Sequence, residues 1–204
     1  MKKIKNILFD LGGVFIDIDF KATENAFISL GISNFNDYFT QHTASSLFED
    51  LETGKTSPEE FYERFRTETG STISDEEIKN AWNAMLGNFH LERLNWLEVI
   101  GFKYNIYLYS NTNQIHYDAF QKIYQQCSGK DNFDSYFIKA HYSHEIGVRK
   151  PYPKSFAKVL TIENLVAEET LFIDDTFKNI EGAKQAGLQT ILLLPPTTVL
   201  DLDL

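Results

Sequence analysis

Phe9-Asp10-Leu11-Gly12-Gly13-Val14 closes an apolar run over residues 4–9 and decides how the rest of the chain is read. The run is too short for a helix, and its near-continuous apolar character suits a strand covered on both faces. An aspartate leaving such a strand straight into two glycines exposes its carboxylate at the sheet edge. The glycines let backbone amides approach a ligand closely. Working outward, residues 106–109, 171–173 and 190–194 repeat the strand pattern, with a weaker instance at 135–140. Residues 115–126, 154–160 and 179–186 read as helices between them, and Gly187 stands where a helix C-terminal cap belongs. Strands alternating with helices predict a doubly wound, parallel α/β sheet.

Residues 20–89 break this rhythm with helical periodicity and no convincing strand. Ser57-Pro58-Glu59-Glu60 reads as a helix start, with Ser57 as N-cap, Pro58 first in the helix and Glu60 completing a capping box. Phe61, Tyr62 and Phe65 continue its apolar face. A second start, Ser74-Asp75-Glu76-Glu77, leads into Ile78, Ala81, Trp82 and Met85. The interval is therefore an α-helical cap inserted after the first strand. That assigns 20–89 to the cap and 1–19 with 90–204 to the α/β core.

The chain has 204 residues, is 43% apolar and 24% charged, and carries a formal net charge of -10. That balance argues against nucleic acid as a partner, because affinity for phosphate backbones comes from clustered Lys and Arg. A small phosphorylated ligand stays open, since a metal ion and one or two cations can dominate a pocket locally. Cys127 is the single cysteine, cannot form an intrachain disulfide and reads as inert. His42, His90, His116, His141 and His144 are not grouped like a zinc site and take no role. Residues 1–3 have the charge of a signal-peptide start, but Asp10, Gly12 and Gly13 interrupt the apolar run behind them. No stretch approaches the roughly 20 apolar residues that span a bilayer. The expectation is a cytoplasmic protein without a membrane partner, and a monomer by default.

Three further signals fall at predicted strand ends, where open α/β sheets place their ligands. Tyr109-Ser110-Asn111-Thr112-Asn113 offers hydroxyl, amide and backbone donors. Gly147-Val148-Arg149-Lys150-Pro151 sets a cation before a rigid proline. Phe172-Ile173-Asp174-Asp175-Thr176 presents two adjacent carboxylates, with Asn179 one helical turn later. Each has a bland reading alone: a turn aspartate, a turn hydroxyl, a solvated lysine, two acids complementing a helix dipole. In this order, at four strand ends, they resemble the four signature motifs of the haloacid dehalogenase superfamily, with its Rossmann-like core. The insertion sits where members with a type 1 helical cap carry theirs. Glu52-Thr53-Gly54-Lys55-Thr56-Ser57-Pro58-Glu59-Glu60-Phe61 looks like the branch of glucose-1-phosphatases and the phosphatase domain of soluble epoxide hydrolase.

The resemblance implies a Mg2+-dependent phosphatase acting on a small phosphorylated metabolite, a sugar phosphate such as a hexose 1-phosphate being favoured. Asp10 would attack phosphorus in line and form an aspartyl-phosphate that water hydrolyses. The implied Mg2+ ligands are Asp10, the Gly12 carbonyl, Asp174 and Asp175, with Asp175 the more direct of the pair. Lys150 would offset charge and hold Asp10 ionised. Ser110, the Asn111 amide and backbone amides around Leu11 and Gly12 would bind the phosphoryl oxygens. Arg149 is left out of this set, and Asn179 is either a support or an ordinary helix residue. Two alternatives stay open: a metal-independent 2-haloacid dehalogenase and a non-catalytic regulator that binds a phosphorylated ligand. The acidic pair argues against the first; intact Asp10 and Lys150 argue against the second.

Phosphatases of the superfamily usually carry a second aspartate two residues after the nucleophile, as general acid and base. Gly12 stands there instead. A carbonyl ligand survives that change, but a proton donor typically contributing about 10²–10⁴-fold does not. Three explanations compete: an anomeric leaving group that needs little protonation, a replacement acid such as Asp17 or Asp19 in Phe15-Ile16-Asp17-Ile18-Asp19-Phe20, or weak catalysis. Gly12→Asp is expected to raise turnover on alkyl phosphates with poor leaving groups, and equal or lower rates would count against a missing acid.

Overall fold

The computed structural model describes residues 3–40 and 43–204; Met1, Lys2, Gln41 and His42 lie outside the described residues. Its strands are β1 (Asn6–Phe9), β2 (Ile16–Ile18), β3 (Leu86–Phe89), β4 (Asn105–Ser110), β5 (Lys139–Tyr142), β6 (Thr170–Asp174) and β7 (Gln189–Leu192). Its helices are α1 (Phe20–Ser29), α2 (Ser46–Glu52), α3 (Pro58–Thr69), α4 (Asp75–Asn83), α5 (Leu91–Ile100), α6 (Gln114–Ser128), α7 (Ser143–Ile146), α8 (Pro153–Ile162) and α9 (Phe177–Gln185). Five strands form a parallel sheet in the order β5-β4-β1-β6-β7.

β1 lies at the centre, and all four of its residues are buried. The two-residue period of a strand sends alternate side chains to opposite faces. Ile7 and Phe9 pack with Leu94 and Leu97 of α5 and Phe120 and Tyr124 of α6. Leu8 points the other way, into Phe156 and Val159 of α8 and Ile180 and Ala183 of α9. Each such fully buried Leu, Ile or Phe stabilises the fold by about 1.5–3 kcal/mol. Phe9 aligns with Leu108 of β4 and with Ile173 of β6, so Asp10 and Asp174 leave the sheet side by side. The chain leaves β1 for one side of the sheet and returns on the other. That reversal opens a crevice at the carboxyl ends of the strands.

Helices α1 to α4 bury an aromatic core of their own, with Phe27, Phe35, Phe39, Phe48, Phe61, Phe65 and Trp82 at its centre. Both capping boxes read from the sequence are present, Ser57 with Glu60 and Ser74 with Glu77. Each cap satisfies otherwise orphaned helix N–H groups, typically for about 1 kcal/mol. The Thr23 hydroxyl ties α1 to α4 by donating to the carbonyls of Ala81 and Trp82 at 2.8 and 3.0 Å.

The expectation of no strand in 20–89 is corrected by β3, which pairs antiparallel with β2. Leu86-Gly87-Asn88-Phe89 carries no strand pattern of its own; the pairing is tertiary. A Cβ on Gly87 would sit 2.8 Å from Cβ of Asp17, so glycine permits the close approach of the two strands. The third expected sheet strand moves from 135–140 to Lys139–Tyr142. Phe133–Tyr136 instead forms a 3-10 turn, whose N-cap Asn132 accepts a hydrogen bond from the Asp134 N–H at 2.8 Å. Its apolar content reflects burial of Phe133, not strand pairing.

Gly182 of α9 abuts the loop after Lys150: a Cβ there would lie 1.8 Å from the Pro151 carbonyl oxygen. Gly→Ala inside a helix ordinarily gains about 1 kcal/mol. Here the sign reverses. Gly182→Ala is expected to lower stability by at least about 1 kcal/mol in denaturant titrations, through backbone overpacking; a gain would show that α9 shifts freely.

Candidate active site

Lys150 organises the carboxyl ends of β1 and β6. Its ammonium lies 2.7 Å from Asp10 Oδ1 and 2.8 Å from Asp174 Oδ2, with a side chain only 1% exposed. The rings of Tyr109 and Phe172 flank it, their centroids 5.6 and 5.3 Å away, where a cation meets the negative ring faces. Its backbone is held twice by Asn111: the Lys150 N–H donates to Asn111 Oδ1 at 2.9 Å, and Asn111 Nδ2 donates to the Lys150 carbonyl at 3.0 Å. The Asn111 side chain therefore positions Lys150. Any contact from that residue to a ligand falls to its backbone N–H.

The acidic pair divides in two. Asp174 is fully buried, and its Oδ1 accepts from the Thr176 N–H at 2.7 Å. Asn179 Nδ2 donates to both Asp174 oxygens, at 3.1 and 3.0 Å, which makes Asn179 a support. Asp175 lines the cavity, and its Oδ1 accepts from the Thr176 hydroxyl at 3.0 Å. Its Oδ2 rests against Gly13, where a Cβ would stand 2.1 Å away. With a φ of 70°, Gly13 also occupies the left-handed region, so both conformation and contact exclude a side chain.

Asp10, Asp174 and Asp175 each offer an oxygen within 4.8 Å of the others. Burial raises the Asp10 pKa to about 8; Lys150 opposes that shift, while Asp174 and Asp175 add to it. Burial, then Asp174, raises the Asp175 pKa as well. For Lys150, burial disfavours the charged form, but Asp10 and Asp174 outweigh it and the net direction is upward. Ionising all three carboxyl groups beside one ammonium would leave uncompensated negative charge in a poorly solvated place, which a bound cation would offset. The donors are all hard oxygens, so the set fits a divalent cation such as Mg2+ or Ca2+, not a soft metal.

A cavity of about 500 Å³ opens above these groups, a size common to small-ligand pockets. Asp10, Leu11, Gly12, Ser110, Asn111, Lys150 and Asp175 all line it. Sequence reasoning missed the far wall: Glu49, Glu52, Arg149, His116 and Lys178. Only Arg149 had a signal, its place beside Lys150. Of the cap aromatics, Phe39 lines the opening, joined by Phe20.

Asp17 and Asp19 do not replace the missing acid. Asp17 is exposed and lies 2.8 Å from His90 Nε2, on the outer side of the β2–β3 pair. Asp19 caps α1, accepting from the N–H groups of Lys21 and Ala22. Ile18, between them, turns inward, and a Cβ on Gly12 would meet its Cγ1 at 3.0 Å. His116 is neutral in its pocket, where burial lowers its pKa to about 4. Among the described residues, no helix is long and apolar enough to cross a membrane.

A parallel sheet with an aspartate at its central strand end, a lysine clamped to it and an acidic pair on the neighbouring strand defines a hydrolase class. The chain belongs to the haloacid dehalogenase-like hydrolases, whose family model matches residues 4–187. It is similar to the D-ribitol-5-phosphate phosphatase of Bacteroides thetaiotaomicron, at 33% identity over 187 residues, covering 92% of this chain and 90% of that protein. Among solved structures, a wild-type family enzyme from the same organism, in complex with magnesium and inorganic phosphate, superposes with a TM-score of 0.84. It is 32% identical and covers 95% of this chain and 96% of its own. A haloacid dehalogenase-like hydrolase from Porphyromonas gingivalis gives a TM-score of 0.85 at 28% identity, covering 94% and 91%.

The raised Asp10 pKa has a consequence for stability. Between about pH 4 and 8 the folded chain holds a proton on Asp10 that the unfolded chain has lost. Stability from this group is therefore complete below the unfolded pKa and lost as pH rises through the folded one. Metal-free Asp10→Asn is expected to melt above the metal-free wild type at pH 8, with the gap closing toward pH 4. A lower melting temperature for the variant at pH 8 overturns the argument from burial.

Proposed function

We propose that this chain is a Mg2+-dependent phosphatase that hydrolyses a small sugar or polyol phosphate through an aspartyl-phosphate on Asp10. The observation that carries the reading is the Asp10 carboxylate, 2.7 Å from a buried ammonium and beside Asp175, at the base of a cavity large enough for such a metabolite. Similarity to a ribitol-5-phosphate phosphatase over most of both chains supports a phosphorylated polyol or pentose; hexose 1-phosphate is the second choice.

In this reading Asp10 Oδ attacks phosphorus, and Lys150 balances the charge gathering on the nucleophile and on the transferring group. Ser110 and the backbone N–H groups around Leu11, Gly12 and Asn111 orient the phosphoryl oxygens. Asp174 holds the Lys150 ammonium in place from below. Asp10, Asp175 and the Gly12 carbonyl, with Asp174 behind them, would hold Mg2+, which would supply positive charge that lets a carboxylate approach a phosphate dianion. The cap spans 20–89 and closes the cavity over the core formed by 1–19 and 90–204. Activity as a monomer in the cytoplasm completes the proposal, in keeping with an unpaired Cys127.

The test is hydrolysis of p-nitrophenyl phosphate with Mg2+, followed by a panel of polyol, pentose and hexose phosphates. Chelation and Asp10→Asn are each expected to lower the rate by about 10³-fold or more. Absence of Mg2+-dependent hydrolysis across the whole panel would sink the proposal.

A further inference from the structure

We propose that Glu52, at the end of cap helix α2, is the general acid that protonates the leaving oxygen in this enzyme, a role Gly12 cannot fill. The proposal rests on the phosphatase reading above and adds a named proton donor to it.

In-line attack by Asp10 places the departing oxygen on the far side of phosphorus. That side of the cavity is lined by the cap, including Phe20, Phe39, Glu49 and Glu52. The acid must therefore come from above, and the candidates there are few. His116 presents Nε2 to the Trp82 carbonyl at 3.1 Å and stacks its ring on Trp82, which commits it to packing. Glu49 is 40% exposed and already accepts a hydrogen bond from Arg149 Nη1 at 3.3 Å, so its carboxyl is engaged and open to water.

Glu52 is different. It is 6% exposed, and its Oε2 has no hydrogen-bond donor among the described residues. Arg149 Nε lies 3.0 Å away but also lacks a hydrogen-bond partner, so the two charges meet without an aligned N–H···O bond. Glu52 lines the ligand cavity with a buried carboxyl whose Oε2 accepts no hydrogen bond among the described residues, a group placed to carry and release a proton. Burial raises its pKa, helped by Glu49 and opposed by Arg149 and Lys150. Its position is also fixed. Gly54, two residues on, has a φ of 67°, and a Cβ there would lie 2.0 Å from the His144 carbonyl oxygen. The loop after Glu52 is thus seated directly on α7.

The chemistry balances. As the bond from Asp10 Oδ to phosphorus forms and the ester P–O bond breaks, the Glu52 carboxyl proton passes to the departing alkoxide, giving the alcohol and a Glu52 carboxylate. Water then adds its oxygen to phosphorus as the bond from Asp10 Oδ to phosphorus breaks, giving one proton to Glu52 and leaving the other on phosphate. Inorganic phosphate leaves, and the Asp10 carboxylate is restored.

The experiment is rapid-quench measurement of phospho-enzyme formation with two substrates, p-nitrophenyl phosphate and the fastest alkyl phosphate from the panel above. The aryl leaving group departs without a proton, and the alkyl one does not. Glu52→Gln is expected to slow the alkyl reaction by about 10²-fold or more, with the aryl reaction changed by less than about threefold. Glu49→Gln removes the neighbouring charge from the same Arg149 contact and should leave the alkyl-to-aryl ratio as in wild type. Glu52→Asp should recover part of the ratio, and it stands in if the glutamine variant does not fold by thermal melting. Equal slowing of both substrates would assign Glu52 to cap placement, and no slowing would remove it from the reaction; either overturns the proposal. If the wild type hydrolyses neither substrate, the phosphatase reading fails first and this one with it.

Discussion

One ammonium shared between two carboxylates underlies the arrangement of this molecule. An isolated charge buried as deeply as Lys150 would cost several kcal/mol, and so would Asp10 or Asp174 alone. Set 2.7 and 2.8 Å apart, between two aromatic faces, the three groups offset one another. The surrounding contacts serve that placement. Asn111 pins the Lys150 backbone from β4, and Asn179 and the Thr176 N–H fix Asp174 from α9 and its approach. Gly182 lets α9 come close enough to brace the same loop. Three strands and a helix thereby converge on one nitrogen atom.

That convergence explains which parts of the fold were legible in the sequence. Asp10, Ser110 and the Asp174-Asp175 pair each end a short apolar run, so local pattern located them, and their order along the chain supplied the rest. The helix starts at Ser57 and Ser74 were legible because capping boxes are local devices. β3 was not, because Leu86-Gly87-Asn88-Phe89 becomes a strand only when β2 lies beside it. The apolar stretch around Phe133 misled for a similar reason: burial in the core does not distinguish a turn from a strand.

The site itself was legible on its floor and hidden in its roof. Glu49 and Glu52 share α2, but Arg149 is 100 residues from Glu49 in sequence, and only the apposition of α2 with the loop after α7 brings them together. Asp17 shows the opposite error. Nearness along the chain suggested a replacement acid, but alternation along β2 turns Ile18 inward and Asp17 out toward His90. Arg149 and Lys150, adjacent in sequence, face different layers. One reaches up to Glu49 and Glu52 of α2, the other down to Asp10, so the helical layer and the acidic cluster are anchored on a single stretch of backbone.

The aromatic core of the cap draws almost wholly on residues between Phe27 and Met85, with Ile115 its buried link to the sheet side. Damage or novelty in the lid can then be absorbed by repacking among its own phenylalanines, while the sheet beneath is undisturbed. Substitutions in the upper half can then reshape the roof of the cavity while the Lys150, Asp10 and Asp174 cluster below keeps its contacts.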